Sequence, residues 1–347
     1  METPGKEIFF NYMCLRFYYC IFCSAKNVWG FFVCLFFYRA FPMNFSSSSS
    51  NSSPVVRDDL KNAIFKNIII VTLCLFINYI NATLLYTFTK HEIFKMNPRY
   101  ILFIHLVIND IILLTLLTLM YILSYTIYIY NVSLCILLIL IGSSSNFNNP
   151  MTLALMAIEC YVAVCFPLRH SQIITVKKTY IVIVFIWLIS ALYLLPDVFI
   201  ALAKEPLDFF YSKIFCTRPN IFRHSQVAEK DIIFNAVFMV IIWSTLFYTY
   251  LQIVFTAKSA SAGARKARNT VLLHSFQLSL SMLTYLYFVI YYELTALFPE
   301  SASAIRFAMM IFINIIPRLV SPLVYGIRDK TFRKYFTQHL FCGKAFH

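Results

Sequence analysis

The ionisable residues at the end of one apolar segment are the first sign of function in this chain. The segment ends in the sequence MAIECYVAVCFPLRH at residues 156–170, where Glu159 stands among apolar residues and Pro167 ends the run. Arg169 and His170 follow at once. An ionisable residue at the end of a membrane helix is costly unless it faces other protein. We therefore predict that Glu159 marks a functional cytosolic opening; the alternative is a helix end that carries an acid without a function.

Two opposite charges lie inside other apolar segments, Asp110 in LVINDII and Arg318 in IPRLVSPLVY. A lone carboxylate or guanidinium among Ile and Leu must find an opposite charge, a proton or hydrogen bonds. We expect Arg318 to pair with Asp110. The alternative is that Arg318 bonds to backbone carbonyls while Asp110 is protonated.

The composition is that of a membrane protein. Hydrophobic residues make up 60% of the chain, charged residues 13%, and the mean hydropathy is +0.73, whereas about a quarter of the residues in a soluble domain are charged. The net charge of +14 is typical of basic cytosolic loops that contact anionic membrane lipid, so nucleic acid is not expected as a partner. The intramembrane ionisable residues are dispersed, so we expect no enzymatic activity, metal site or cofactor.

Seven apolar runs are long enough to cross a bilayer, which takes about 20 helical residues. No linker or repeat divides them, so residues 64–325 are predicted to form one all-α domain. The predicted spans are Ile64–Phe88, Tyr100–Tyr125, Ser133–Val164, Thr179–Ala203, Asp231–Ala257, Thr270–Tyr292 and Ile305–Tyr325.

The loop charges predict the orientation. Cations are rare around 126–132 and 293–304, and the long 204–230 loop counts for little in this rule. The amino terminus is therefore expected outside the cell, with a cytosolic amphipathic helix and tail at 326–347. The cations lie mainly after the first, third and fifth spans and in the tail, at Lys90, Lys95, Arg99, Arg169, Lys177, Lys178, Lys258, Arg265, Lys266, Arg268, Arg328, Lys330, Arg333, Lys334 and Lys344.

The first 42 residues do not fit this arrangement. They are aromatic and apolar but interrupted by cations. A polar stretch from Met43 follows, and its sequons at Asn44 and Asn51 predict a glycosylated extracellular segment at 43–63. We expect that translation starts at Met43 and that 1–42 is translated upstream sequence. The alternative is an eighth membrane segment or a signal anchor.

Several motifs together resemble those of odorant receptors within the rhodopsin-like G-protein-coupled receptors. The block at 156–165 resembles the signature MAYDRYVAIC, with Cys160 in the position of the family's arginine. The run from Lys266 to His274 has the four marked residues of KAxxTxxxH, and 321–328 resembles PxxYxxRN. The resemblance covers about 64–340. The family's FYG is absent at 281–283.

The resemblance implies a rhodopsin-like seven-helix bundle that binds a small-molecule odorant outside and activates a heterotrimeric G protein, of the olfactory stimulatory type, inside. It places the receptor in the plasma membrane of olfactory cilia. It also implies a disulfide between Cys135 and Cys216, which the oxidising exterior permits. In the superfamily the acid at Asp110 binds sodium, and we expect Arg318 to replace that ion here.

The resemblance also assigns roles to residues at three levels of the bundle. We expect G-protein coupling to involve Glu159, Cys160, Tyr161, Arg169, Lys266, His274 and Tyr325. We expect an intramembrane switch at Asp110, Asn149, Arg318 and Pro322. We expect a ligand pocket at Gly142, Ser143, Asn146, Phe147, Tyr285 and Phe288; for many of these, the alternative is ordinary helix packing.

Two departures from related sequences affect function. Cys160 can neither pair with its neighbouring acid nor reach into a G protein as an arginine would, and we expect Cys160→Arg to retain or increase coupling. Gly142 stands 18 residues before Cys160, where amine receptors carry an aspartate, so a biogenic amine is disfavoured.

Two other functions remain as alternatives. One is a peptide or lipid receptor outside olfaction. The other is a small-molecule transporter, which would need paired broken helices or internal repeats, and neither is evident.

Overall fold

Long apolar helices make up most of the structure, a computed structural model. It describes residues 60–127, 129–258, 276, 280, 287, 290–291, 293–320 and 330–340. The first five predicted spans each lie within one helix, and all five helices extend a few residues beyond the predicted bounds. We label these helices α1 (Leu60–Lys90), α2 (Pro98–Thr126), α3 (Val132–Cys165), α4 (Val176–Lys204) and α5 (Ser225–Lys258).

Local sequence determines where these helices begin. Asn97 is the N-cap of α2, and its side chain accepts a hydrogen bond from the backbone N–H of Arg99 at 3.1 Å. Pro98 takes the first helical position, where its missing N–H costs nothing. Asn131 and Thr175 cap α3 and α4 with their side chains in the same way.

The seventh predicted span is also helical as far as it is described. We call 302–320 the last membrane helix: it begins as the α-helix Ala302–Met309, widens into a π-helical turn at Met310–Ile315 and returns to α-helix at 316–320. Among the described residues, six helices are long and apolar enough to cross a membrane. The sixth predicted span falls mostly outside the described part, and its described positions are helical.

The apolar exterior of the bundle suits a lipid environment. Phe65, Leu75, Leu192 and Phe199 are each more than half exposed, which would be unfavourable in water but is expected of side chains that face hydrocarbon. Polar side chains are buried between the helices instead, as the residues of the functional site show below. The exposed apolar side chains thus agree with the prediction that these helices span a membrane.

The disulfide Cys135–Cys216 covers one end of the bundle, which we call the disulfide end. The two Cα atoms are 5.7 Å apart, within the usual range for a bridge, so the predicted disulfide is confirmed. It joins the start of α3 to the 205–224 loop. The loop is held a second time by a two-stranded antiparallel pairing in which β1 (Tyr130–Asn131) meets β2 (Lys213–Ile214).

A short amphipathic helix at Lys330–Leu340, the C-terminal helix, packs at the opposite end, which we call the basic end. Phe332 is completely buried, with its ring 5.0 Å from that of Phe94 and 5.8 Å from that of Tyr100. The Nε2 atoms of His91 and His339 lie 3.3 Å apart. This helix lies within 326–347, where an amphipathic helix is predicted; its cytosolic location stays a prediction.

Several expectations fall outside the described residues. These are the start at Met43, the upstream segment 1–42, the sequons at Asn44 and Asn51, and the end of the tail beyond 340.

Docking of the C-terminal helix should weaken on acidification. Partial burial lowers the pKa of His339, and the neighbouring side chains of Lys90 and His91 lower it further. The docked state therefore favours neutral His339; its stability is complete above the ordinary pKa of about 6.5 and declines as the pH falls below it. We expect faster amide hydrogen exchange in 330–340 at about pH 5.5 than at about pH 7.5, after correction for intrinsic rates. His339→Gln should remove most of this difference, and equal protection of the unaltered chain at both pH values would contradict the prediction.

Candidate functional site

One face of α3 carries most of the candidate site. Gly142, Asn146 and Asn149 follow each other at helical spacings of four and three residues, so they lie on the same face. Pro150 comes next, inside the helix. Because proline has no N–H, the carbonyl of Asn146 loses its usual partner one turn before Pro150, which favours a bend at this level.

The polar centre, which we define as Asp110, Asn146, Asn149 and Arg318, lies at the level of this proline. Arg318 donates from Nη1 to Asp110 Oδ1 at 3.1 Å and from Nη2 to Asn146 Oδ1 at 3.1 Å. Asn149 Nδ2 donates to the same Asp110 oxygen at 2.8 Å. Asp110 is fully buried and Arg318 is 3% exposed. The polar centre therefore joins α2, α3 and the last membrane helix by a buried ion pair.

The position of Arg318 depends on the helix that carries it. The π-helical turn Met310–Ile315 ends three residues before Arg318, and such turns change the face on which the following residues emerge. The guanidinium already supplies a positive charge to Asp110. The residues present thus do not fit a sodium ion.

A second buried network ties α4 to α2 and α3. His105 lies at its centre: its Nδ1 is 3.0 Å from the hydroxyl of Thr152, and its Nε2 accepts from Trp187 Nε1 at 3.1 Å. Asn109 contacts the same ring. These hydrogen bonds join α2, α3 and α4 between the polar centre and the basic end.

The predicted pocket residues on α3 have different surroundings. A Cβ added to Gly142 would meet nothing within 4 Å, so open space lies beside this residue. Ser143 and Asn146 are half-buried. Phe147 is 3% exposed and stacks on Phe238 with ring centroids 4.2 Å apart. Phe147 is therefore part of the packing between α3 and α5.

A cluster of four charges lies at the disulfide end. Arg218 bonds to Asp197 at 2.6 Å and to Asp231 at 3.0 Å, and Lys230 bonds to Asp197. Burial by itself would lower the pKa of Arg218, but the charges of Asp231 and Asp197 and its contact with Tyr193 outweigh burial and raise it. The guanidinium therefore stays charged and fastens the loop to α4 and α5.

Glu159 is buried at the basic end and has partners on both sides. Arg99 donates from Nε to Oε2 at 2.8 Å and from Nη2 to Oε1 at 3.1 Å, while Nε2 of His170 is 3.3 Å from Oε1. Cys160 points elsewhere: it is 2% exposed and packs against Ile253 of α5. The acid of the predicted coupling site is thus held by α2.

The other predicted coupling residues are only partly described. Tyr161 is half-buried and lies edge-on to Tyr248, with ring centroids 5.9 Å apart, and Arg169 is exposed. The rest of the predicted site lies outside the described residues: Lys266, His274, Tyr285, Phe288, Pro322 and Tyr325.

Sequence reasoning missed two sets of contacts. It counted Arg99 only as a loop cation and did not connect it to Glu159. It also left Asp197 unassigned, although an aspartate inside the predicted fourth span needs a partner. That signal could have led to a search for a cation, but Arg218 is one of several cations in the same loop.

The ion pair of the polar centre should replace sodium as a stabilising cation. Arg318→Met removes the cation from a buried carboxylate, which costs about 3–5 kcal/mol, and should lower the thermal midpoint of the detergent-solubilised protein. The unaltered protein should melt alike in sodium chloride and choline chloride, whereas Arg318→Met should be stabilised by sodium. The control that combines Asp110→Asn with Arg318→Met should lose that sodium effect. Sodium stabilisation of the unaltered protein that Asp110→Asn abolishes would show that the pair does not replace the ion.

Comparisons with known proteins identify the family. Residues 80–325 match the family described as 7 transmembrane receptor (rhodopsin family). Odorant receptor 131-2 of Danio rerio is 31% identical over 308 residues, covering 87% of this chain and 93% of that receptor. Olfactory receptor 5AK3 of Homo sapiens is 26% identical over 56% of this chain and 67% of its own length. The QRFP-like peptide receptor of Branchiostoma floridae is 25% identical over 60% of this chain and 59% of its own length.

These matches confirm the resemblance to odorant receptors, and the family consists of signalling receptors rather than enzymes. The family match covers more than half of the chain, and the six apolar helices agree with it. The chain therefore belongs to the rhodopsin family of seven-transmembrane receptors and has their multi-pass, seven-helix fold.

Proposed function

We propose that this membrane receptor is an odorant receptor. It binds a small, mostly uncharged or weakly polar odorant at the disulfide end and activates a heterotrimeric G protein, of the stimulatory type by resemblance, at the basic end. The observation that carries this proposal is the similarity to Odorant receptor 131-2 of Danio rerio over 87% of the chain. The proposal places the receptor in the plasma membrane of olfactory cilia, with its amino terminus outside.

The surroundings of Gly142 support a ligand site of this chemistry. The space beside Gly142 is open, and Ser143 and Asn146, both half-buried, follow it in the same helix with a hydroxyl and an amide. Pockets between helices are mainly apolar, with a few polar groups that orient the ligand. With no acid at Gly142, the site favours a neutral ligand over an amine.

Residues on the same face of α3 connect the proposed ligand site to the contacts between helices. Asn146 is one turn from Gly142 and accepts a hydrogen bond from Arg318. Arg318 in turn bonds to Asp110 of α2. A ligand that prefers one arrangement of these side chains shifts the population of the whole bundle toward that arrangement.

A peptide receptor is the second candidate, and one observation favours it. The QRFP-like peptide receptor of Branchiostoma floridae is 25% identical over 60% of the chain. Transcripts confined to single olfactory neurons would support the odorant receptor, whereas broad expression would support the peptide receptor. The direct test is a cAMP measurement in cells that express the full chain or residues 43–347, against panels of odorants and of peptides.

Filling the open space beside Gly142 should weaken the odorant response. Gly142→Leu adds four carbon atoms where a ligand is proposed, and we expect at least a tenfold higher half-maximal odorant concentration with unchanged surface display. The matched control is Ile141→Leu, because Ile141 is the preceding residue in α3 and is 39% exposed. An unchanged odorant response in Gly142→Leu would place the ligand elsewhere.

A further inference from the structure

The buried acid Glu159 is followed in the chain by Cys160, which carries no charge. The cation that pairs with Glu159 comes from another helix: it is Arg99 of α2. We propose that Arg99 is the resting-state clamp of this receptor: its ion pair with Glu159 holds the basic ends of α2 and α3 together, and activation requires that it open. The role in activation rests on the proposed function above.

The geometry is that of a specific pair. Two parallel hydrogen bonds join the guanidinium of Arg99 to the carboxylate of Glu159, at 2.8 Å and 3.1 Å. Two-pronged pairs of this kind are stronger and more directional than single contacts. The Glu159 side chain is 5% exposed and the Arg99 side chain is 30% exposed. Water or a binding partner can therefore reach the cation while the acid stays buried.

The backbone at the start of α2 places Arg99 where it can do this. Asn97 caps the helix by accepting from the backbone N–H of Arg99, and Pro98 fixes the first helical position. Arg99 therefore leaves the first turn of α2 in a defined direction. A flexible loop cation would lose more side-chain and backbone freedom on pairing.

The neighbours of Glu159 make Arg99 the main restraint on this acid. His170 is the other described partner, at 3.3 Å, and it lies in the short connection that follows α3, at the start of the one-turn helix His170–Ile173. It therefore does not join α3 to another membrane helix. On the other side of α3, Cys160 packs against Ile253 with Tyr161, Val164 and Tyr250 in a largely apolar contact. Among the described residues, the charged restraint at this level thus runs from α3 to α2.

Separating the helix ends would remove the cation from a buried carboxylate, which is strongly unfavourable unless water or a partner replaces it. The pair therefore favours the closed arrangement. An arriving G protein can compensate for its opening because the contact lies at the basic end, on the side where Arg99 is reachable.

The test compares substitutions in the full-length receptor by two measurements. The first is ligand-free G-protein activation, read as separation of Gα from Gβγ for each of the main Gα classes and normalised to surface display. The second is the thermal midpoint of the solubilised receptor. The variants are Arg99→Met, Arg99→Lys, Glu159→Gln, the combination of Arg99→Met with Glu159→Gln, and the exchange of Arg99→Glu with Glu159→Arg. The matched control is Lys95→Met, which breaks the exposed pair of Lys95 with Glu92 at the same end.

We expect Arg99→Met and Glu159→Gln each to raise ligand-free activation at least threefold and to lower the midpoint. Their combined effect should be less than additive, because both remove the same contact. Arg99→Lys should be intermediate, since lysine keeps the charge but loses the two-pronged geometry. The exchange should restore both readings toward those of the unaltered receptor, and Lys95→Met should change neither.

Other outcomes separate the clamp from the proposed function. If odorants activate the unaltered receptor but Arg99→Met leaves ligand-free activation unchanged, the clamp is overturned and the pair is structural. If no Gα class responds to any variant or odorant, the proposed function fails. The thermal midpoints then show whether the pair of Arg99 and Glu159 restrains the two helix ends. A less-than-additive loss reversed by the exchange then supports the clamp as a restraint, and additive losses overturn it.

Discussion

Charges buried between apolar helices can persist only where an opposite charge meets them, and the pair of Asp110 and Arg318 is the clearest case in this receptor. Neither side chain reaches solvent, and each is anchored again by an asparagine of α3. Separating them would leave a charge in a medium that solvates it poorly. The two helices that carry them, α2 and the last membrane helix, are therefore held together against α3.

Helix α3 contributes residues at three levels of the described bundle. Its first turns carry Cys135, which fastens the loop over the disulfide end. Its middle carries Gly142 beside open space and Asn146 in the polar centre. Its last turns carry Glu159, bound to α2. One continuous helix, Val132–Cys165, therefore contributes to all three levels.

The elements of the fold were predictable because they depend on local patterns. Apolar runs of sufficient length predicted the five helices α1 to α5, and the structure differs mainly at their ends. The fifth helix begins at Ser225 rather than at the predicted Asp231, because helices continue beyond the hydrocarbon layer where hydropathy no longer marks them. Within the last membrane helix, the π-helical turn has no simple pattern in hydropathy and was not predicted.

The contacts between charges were predictable only in part. Arg318 and Asp110 were matched because each was the conspicuous ionisable group of its own span. Arg99 and Arg218 were not matched to Glu159 and Asp197, because both lie among several cations near the ends of helices, where any of them could remain in water.

By itself, the sequence determined the helical spans and the need of each buried acid for a partner, because these follow from composition, spacing and the cost of burying charge. The resemblance of its motifs to those of odorant receptors indicated the family and implied the disulfide. Only the tertiary structure decided which cation meets which acid. Arg318 and Asp110 are 208 residues apart and Arg99 and Glu159 are 60 apart. Helix packing brings such residues together, and no local preference of the chain encodes that choice.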